Sequence, residues 1–207
     1  MVLRCAGLIV LRKPEFNFDE LGRGAWLPKV FTIGKLLYSG VGRMEWFDLD
    51  EYYIREELSA DLKRLHHKVH DYGSPLPNTL RDVDEVRRVL EFCNAKKTGQ
   101  NEVAAVRGKD LDEALGTFEA EVQSAEFLGW DVMGIGEPSL IYEYVFMEDY
   151  LRQAWAPRLN PAGLLPDEQS CHELARCCEE ANQKGLLHEP LLPDMTATAI
   201  RLWRVVL

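Results

Sequence analysis

Residues 110–146 read DLDEALGTFEAEVQSAEFLGWDVMGIGEPSLIYEYVF, and how this stretch divides between helix and strand decides the class of fold. In its first half, Leu111, Leu115, Phe118, Val122 and Ala125 fall at i, i+4, i+7, i+11 and i+14, the spacing of one apolar helical stripe. Asp110, Asp112 and Glu113 stand in the first turn, where carboxylates favour the helix dipole. The pattern predicts a helix over 110–127, closed by Gly129 in a left-handed conformation. Trp130 to Met133 then suit a short strand, with Gly134 and Gly136 free to turn and Pro138 barring a continuing helix. From Ser139, Leu140, Tyr142, Tyr144 and Phe146 alternate with Ile141, Glu143 and Val145, the period of a strand. A helix followed by a hairpin is the expectation.

Outward from this stretch, helices and strands mix without regular alternation. Residues 3–12 are rich in Leu, Ile and Val and suit a buried first strand. Residues 25–47 combine β-formers with glycines, as one or two strands do. Leu58, Leu62, Leu65 and Val69 form a helical stripe, stopped by Gly73-Ser-Pro-Leu-Pro. A second helix, capped by Asn78 or Thr79, carries Val83, Val86, Leu90 and Cys93. Residues 101–108 suit a short strand, and a helix is expected around 147–155. Pro166 and Asp167 open a last helix with Cys171, Leu174, Cys178 and Ala181 inward and Gly185 at its end. The chain closes on a strand, AIRLWRVVL. The expected class is α+β, a mixed or antiparallel sheet with amphipathic helices packed on it. One domain over 1–207 is expected, with a soft boundary near 100–108.

Charge is the most informative bulk property. The net charge is −10, yet residues 1–103 carry 16 bases and 16 acids. The imbalance lies in residues 104–207, and from Asp110 to Tyr150 there are eleven acids and no Lys or Arg. Direct nucleic-acid binding is unlike such a chain, because phosphate contacts need bases. No apolar run reaches the roughly 18 residues that suit a bilayer crossing. Five cysteines, two of them adjacent, make a poor disulfide framework and point to reduced thiols in the cytoplasm.

Catalytic signatures are sparse. Gly134-x-Gly136 lacks the third glycine and the helix of a dinucleotide site. His66 and His70, four apart on one helical face, have the spacing of two metal ligands, but no Glu follows His66. They define the alternative reading, a metal-dependent enzyme with a distant carboxylate as third ligand. Cys171 and Cys178 occupy apolar positions of their helix, where thiols behave as small hydrophobes. Leu37 stands where a nucleophile elbow around Ser39 needs glycine.

The acidic run is better suited to binding. If helix and hairpin lie side by side, their acids share one field, which steers a basic partner. Glu119, Glu126, Asp131, Glu137 and Glu143 supply charge in this expectation, and Trp130 and Tyr142 supply contact, Trp and Tyr being favoured at interface hot spots. Leu128, Gly129, Trp130, Asp131 and Val132, with Ser139-Leu140 downstream, also form a segment that resembles one in immunity proteins encoded beside bacterial polymorphic toxins. The resemblance covers about 20 residues and implies a cytoplasmic, non-catalytic inhibitor of a cognate toxin, working without cofactor. The combined expectation is an acidic binding protein that neutralises a basic protein partner.

Overall fold

The computed structural model describes residues 1–13, 79–95, 100–134, 139–145, 148–160, 162–188, 190–191 and 197–207. The strands expected within 25–47, the helix around 49–71 and His66 and His70 lie outside these residues. Six strands are described, all paired antiparallel: β1 (Val2–Cys5), β2 (Gly7–Lys13), β3 (Gln100–Arg107), β4 (Phe118–Glu121), β5 (Ser124–Gly134) and β6 (Ala197–Val206). The α-helices are α1 (Val83–Ala95), α2 (Lys109–Leu115), α3 (Asp149–Trp155) and α4 (Glu168–Gln183). The fold is α+β. Among the described residues, no helix is long and apolar enough to cross a membrane.

The main sheet runs β2-β3-β6-β5, and β1 pairs with β4 in a second, two-stranded sheet. The two sheets share their chain. A single buried residue, Ala6, joins β1 to β2, and its N–H donates to the Val106 carbonyl at 2.9 Å. Val122 and Gln123 join β4 to β5; Val122 exchanges hydrogen bonds with Met1, and the Gln123 N–H donates to Val206 at 2.7 Å. The link between β4 and β5 is thus held by β1 on one side and β6 on the other. The soft boundary expected near 100–108 falls on β3, an interior strand paired with both β2 and β6.

Two cores form around the sheets. Leu8, Val10, Val103, Ala105 and Val205 gather with Val86 and Val89 of α1. Leu128, Ile200 and Leu202 gather with Leu151 and Trp155 of α3 and with Cys171, Leu174 and Cys178 of α4. Each Leu, Val or Ile so buried contributes about 1.5–3 kcal/mol of transfer free energy. Helix α4 takes the expected form: the Asp167 side chain caps it by accepting from the Ser170 N–H at 2.7 Å, and Cys171, Leu174, Cys178 and Ala181 face inward. Helix α1 is capped by Asp82, whose Oδ1 accepts from the N–H groups of Asp84 and Glu85, rather than by Asn78 or Thr79.

The expected helix over 110–127 is not formed. Helix α2 stops at Leu115, because Gly116 takes a positive φ of 71°. Beyond it, Ala120 and Val122 are buried while Glu119 and Glu121 are exposed, an alternation of period two that makes β4. The expected strand from Ser139 is also absent. Ser139 makes one bridge to Met133, and Ile141–Val145 then form a π-helical turn. Leu140, Ile141, Tyr144 and Val145 are buried there, a helical spacing.

Gly129 ends no helix. The β5–β6 register shifts between Phe127 and Gly129, leaving Leu128 as the extra residue of a β-bulge. Gly129 holds φ at 140°, a region that L side chains rarely adopt. Asn160 locks the bulge: its Nδ2 donates to the Leu128 carbonyl at 2.8 Å, and its Oδ1 accepts from Ala162 and Leu164. Trp130 and Leu165 exchange both backbone hydrogen bonds alongside. A Cβ on Gly129 would meet Asn160 Nδ2 at 2.6 Å and Leu164 Cβ at 2.8 Å. Gly129→Ala is therefore expected to destabilise the protein by about 3 kcal/mol, from backbone strain and overpacking together. Urea unfolding checks this; a midpoint within error of wild type contradicts the bulge geometry.

Candidate functional site

In a regular strand, residues three apart face opposite sides of the sheet. Phe127 and Trp130 escape this rule because the bulge inserts Leu128 between them. Phe127 stands opposite Trp203 and Trp130 opposite Arg201. Trp203 and Arg201 are two apart on the unbroken strand β6, so all four side chains share one face. The Phe127 and Trp203 rings tilt together at a centroid distance of 5.4 Å. The Arg201 guanidinium lies 5.3 Å from the Trp130 ring centroid and 5.8 Å from that of Trp203. Such ring pairs contribute about 0.5–1.5 kcal/mol beyond their area, and a partly exposed cation–π contact contributes about 0.5–1 kcal/mol.

The patch is open. Phe127 is 49% exposed, and Trp130, Arg201 and Trp203 are half-buried. On the opposite face of the same strands, Arg204 bridges Glu102 and Glu126, at 3.0 Å each. Two indoles against one arginine, with a phenyl ring packed on one of them, have the composition of a protein-binding hot spot.

Of the described residues expected to supply charge, Asp131 and Glu126 do not stand free for a partner. Asp131 is wholly buried. Its Oδ1 accepts from the Val132 N–H and from Ser139 Oγ, both at 2.7 Å, and Ser139 Oγ accepts in turn from the Ile141 N–H. This carboxylate fastens the π-helical turn to β5 and presents nothing to a partner, which corrects its expected role. Glu126 is exposed but joined to Arg204, and Glu119 is exposed on β4 opposite Arg4. Of the expected contact residues, Trp130 reaches the patch. Glu137 and the side chains of Tyr142 and Glu143 lie outside the described residues. Tyr144 is core.

Part of the remaining acidic run is balanced locally, while Glu113 and Glu121 are exposed. Asp112 pairs with Arg107 at 2.9 Å, Asp149 with Arg152, and Glu148 with His188 at 2.9 Å. The sequence omitted Phe127, Trp203 and Arg201 from the site because their meeting depends on the register of β5 against β6. The signal available was the run Arg201-Leu-Trp-Arg, which puts a cation and an indole two apart on a strand.

Chemistry by Cys5, Cys171 and Cys178 is opposed by their setting. Burial pushes the Cys178 thiol up to about 12 and the Cys5 thiol up to about 11, and Cys171 is raised further, with the Asp131 carboxylate adding to burial. Thiols held protonated in this way are poor nucleophiles. His172 beside Cys171 is exposed, 4.0 Å from Glu168. Among the described residues, no group of three or more His, Cys, Asp or Glu side chains could hold a metal ion.

No family, curated protein or solved structure matches this chain.

The raised thiols have a consequence for stability. An unfolded thiol ionises near 8.5, while the folded Cys178 keeps its proton to about 12. The unfolded state then binds fewer protons above pH ~9, so the contribution of Cys178 is fully present below that pH and is lost as pH rises, by up to about 1.4 kcal/mol per pH unit. Urea midpoints are expected to fall between about pH 8 and pH 10.5, and less steeply in Cys178→Ala. Equal slopes in the two proteins contradict the buried-thiol assignment.

Proposed function

We propose that this protein is a non-catalytic binding protein that neutralises a protein partner by occupying its surface, as the immunity proteins resembled by the Leu128–Val132 segment do. The observation that carries the reading is the aromatic face of β5 and β6, where an exposed Phe127 stacks on Trp203 beside Trp130 and Arg201. Water gains by release from these rings when a partner covers them, and they are already fixed by their neighbours, so little side-chain entropy is lost on binding. The net charge of −10 steers a basic partner over long range. The contact itself is centred on the aromatic face rather than on the acids, since Asp131 is buried and Glu126 is paired. Binding needs no cofactor in this mechanism.

The test is capture of a partner from lysate of the native host, followed by quantitative binding with Phe127→Ala and Glu119→Gln proteins. Phe127 is half exposed, so its truncation is expected to leave the fold intact while weakening binding by about tenfold to a hundredfold, mostly through faster dissociation. Glu119→Gln is expected to change only the salt-dependent association rate. The captured protein should also inhibit growth when expressed alone and lose that effect when this protein is co-expressed. A partner held with equal affinity by wild type and Phe127→Ala contradicts the assignment of the face.

A further inference from the structure

Arg201 is the unbalanced charge of the aromatic face. Its cross-strand neighbour on β3 is Arg107, a like charge placed directly opposite, which costs stability unless compensated. Arg107 has its counter-ion in Asp112, whose Oδ2 accepts from Nε at 2.9 Å. Arg201 has no carboxylate partner among the described residues; its Nε is buried with no hydrogen-bond acceptor, and its contacts are the two indole faces. Leaving a buried donor of a charged group unmet costs stability. In a protein with ten excess negative charges, a guanidinium without a carboxylate among the described residues, held between two rings on an open face, is available to a group outside the chain.

The geometry points to Arg201 as a carboxylate-binding site that receives an acidic side chain of the bound partner. The assignment rests on the binding face proposed above and names the group that the partner brings to it. An arginine held against aromatic rings by its buried Nε side still offers its terminal Nη1 and Nη2 atoms, and that end matches the two oxygens of a carboxylate. Trp130 and Trp203 wall the contact against water, which strengthens the ion pair. The partner that fits is basic overall, as steering requires, and carries an Asp or Glu amid apolar side chains where it meets Trp130, Phe127 and Trp203. Arg201 is thereby separated in role from Arg204, which is already committed to Glu102 and Glu126.

The site is testable without the partner. The intact protein, labelled with ¹⁵N-arginine, is titrated with N-acetylglutamate and separately with inorganic phosphate, following the Arg201 Nε–H resonance and indole fluorescence. The expected result is a saturable shift of the Arg201 signal with N-acetylglutamate, lost in Arg201→Lys, which keeps the charge but not the planar fork. Arg204→Lys is expected to leave the titration unchanged. No saturable shift, or a tighter response to phosphate than to the carboxylate, overturns the assignment. With a captured partner, Arg201→Lys is expected to weaken binding by about tenfold to a hundredfold, the factor a charge-assisted hydrogen bond carries. A partner whose binding depends on Phe127 but not on Arg201 overturns the carboxylate site and leaves the binding face standing. A saturable carboxylate shift in a protein that retains no partner supports the site and removes the proposed function instead.

Discussion

The bulge at Leu128–Gly129 is the constraint on which the surface of this protein depends. One inserted residue changes which side of β5 every later side chain occupies, because strand orientation repeats every two residues. Without it, Phe127 and Trp130 would be divided between the two faces of the sheet. With it, both meet β6 on the side that carries Arg201 and Trp203. The insertion is held from outside the strand. Asn160 bonds the Leu128 carbonyl and the amides of its own loop, and Leu165 pairs with Trp130. Glycine at 129 supplies the backbone angle and the space that this close approach needs.

The same region separates two kinds of acid that look alike in the sequence. Asp131 is a fastener, spending its oxygen on a backbone amide and on Ser139 in the interior. Glu126, on the same face but nearer the exposed start of β5, forms part of an ion triad. Surface pairs of this sort contribute little stability, on the order of 0–1 kcal/mol each. Their consequence is geometric: they use up local charge, so the net charge acts at long range while the open contact area is aromatic and cationic.

How far the chain could be read depended on whether one periodicity was consistent with the apolar positions. Helix α4 was legible because Asp167, the inward stripe and Gly185 agree on a single element. The strands β3 and β6 were legible from their β-branched and aromatic content. Residues 111–125 deceived because Leu111, Leu115, Phe118, Val122 and Ala125 fit a helix while Phe118-Glu-Ala-Glu-Val also alternates, and Gly116 sits where the two patterns divide. Ser139–Phe146 deceived in the opposite sense, since alternating aromatics mimic a strand while Leu140, Ile141, Tyr144 and Val145 pack as a helical turn. At the site, Trp130 was legible as an aromatic in a turn-rich segment. Its companions were not, because Phe127, Arg201 and Trp203 are joined by a register that only the bulge sets, and a bulge is fixed by tertiary contacts from Asn160 and Leu165.

The most direct measurement is the pattern of nuclear Overhauser contacts across β5 and β6 in solution. The structure predicts contacts from the Phe127 ring to the Trp203 ring and from the Trp130 ring to the Arg201 side chain, with sequential extended-chain contacts through 118–121 and 124–127. Helical contacts between residues three apart in 118–127, or a Trp130 ring that meets neither Arg201 nor Trp203, would contradict both the strand assignment and the binding face built on it.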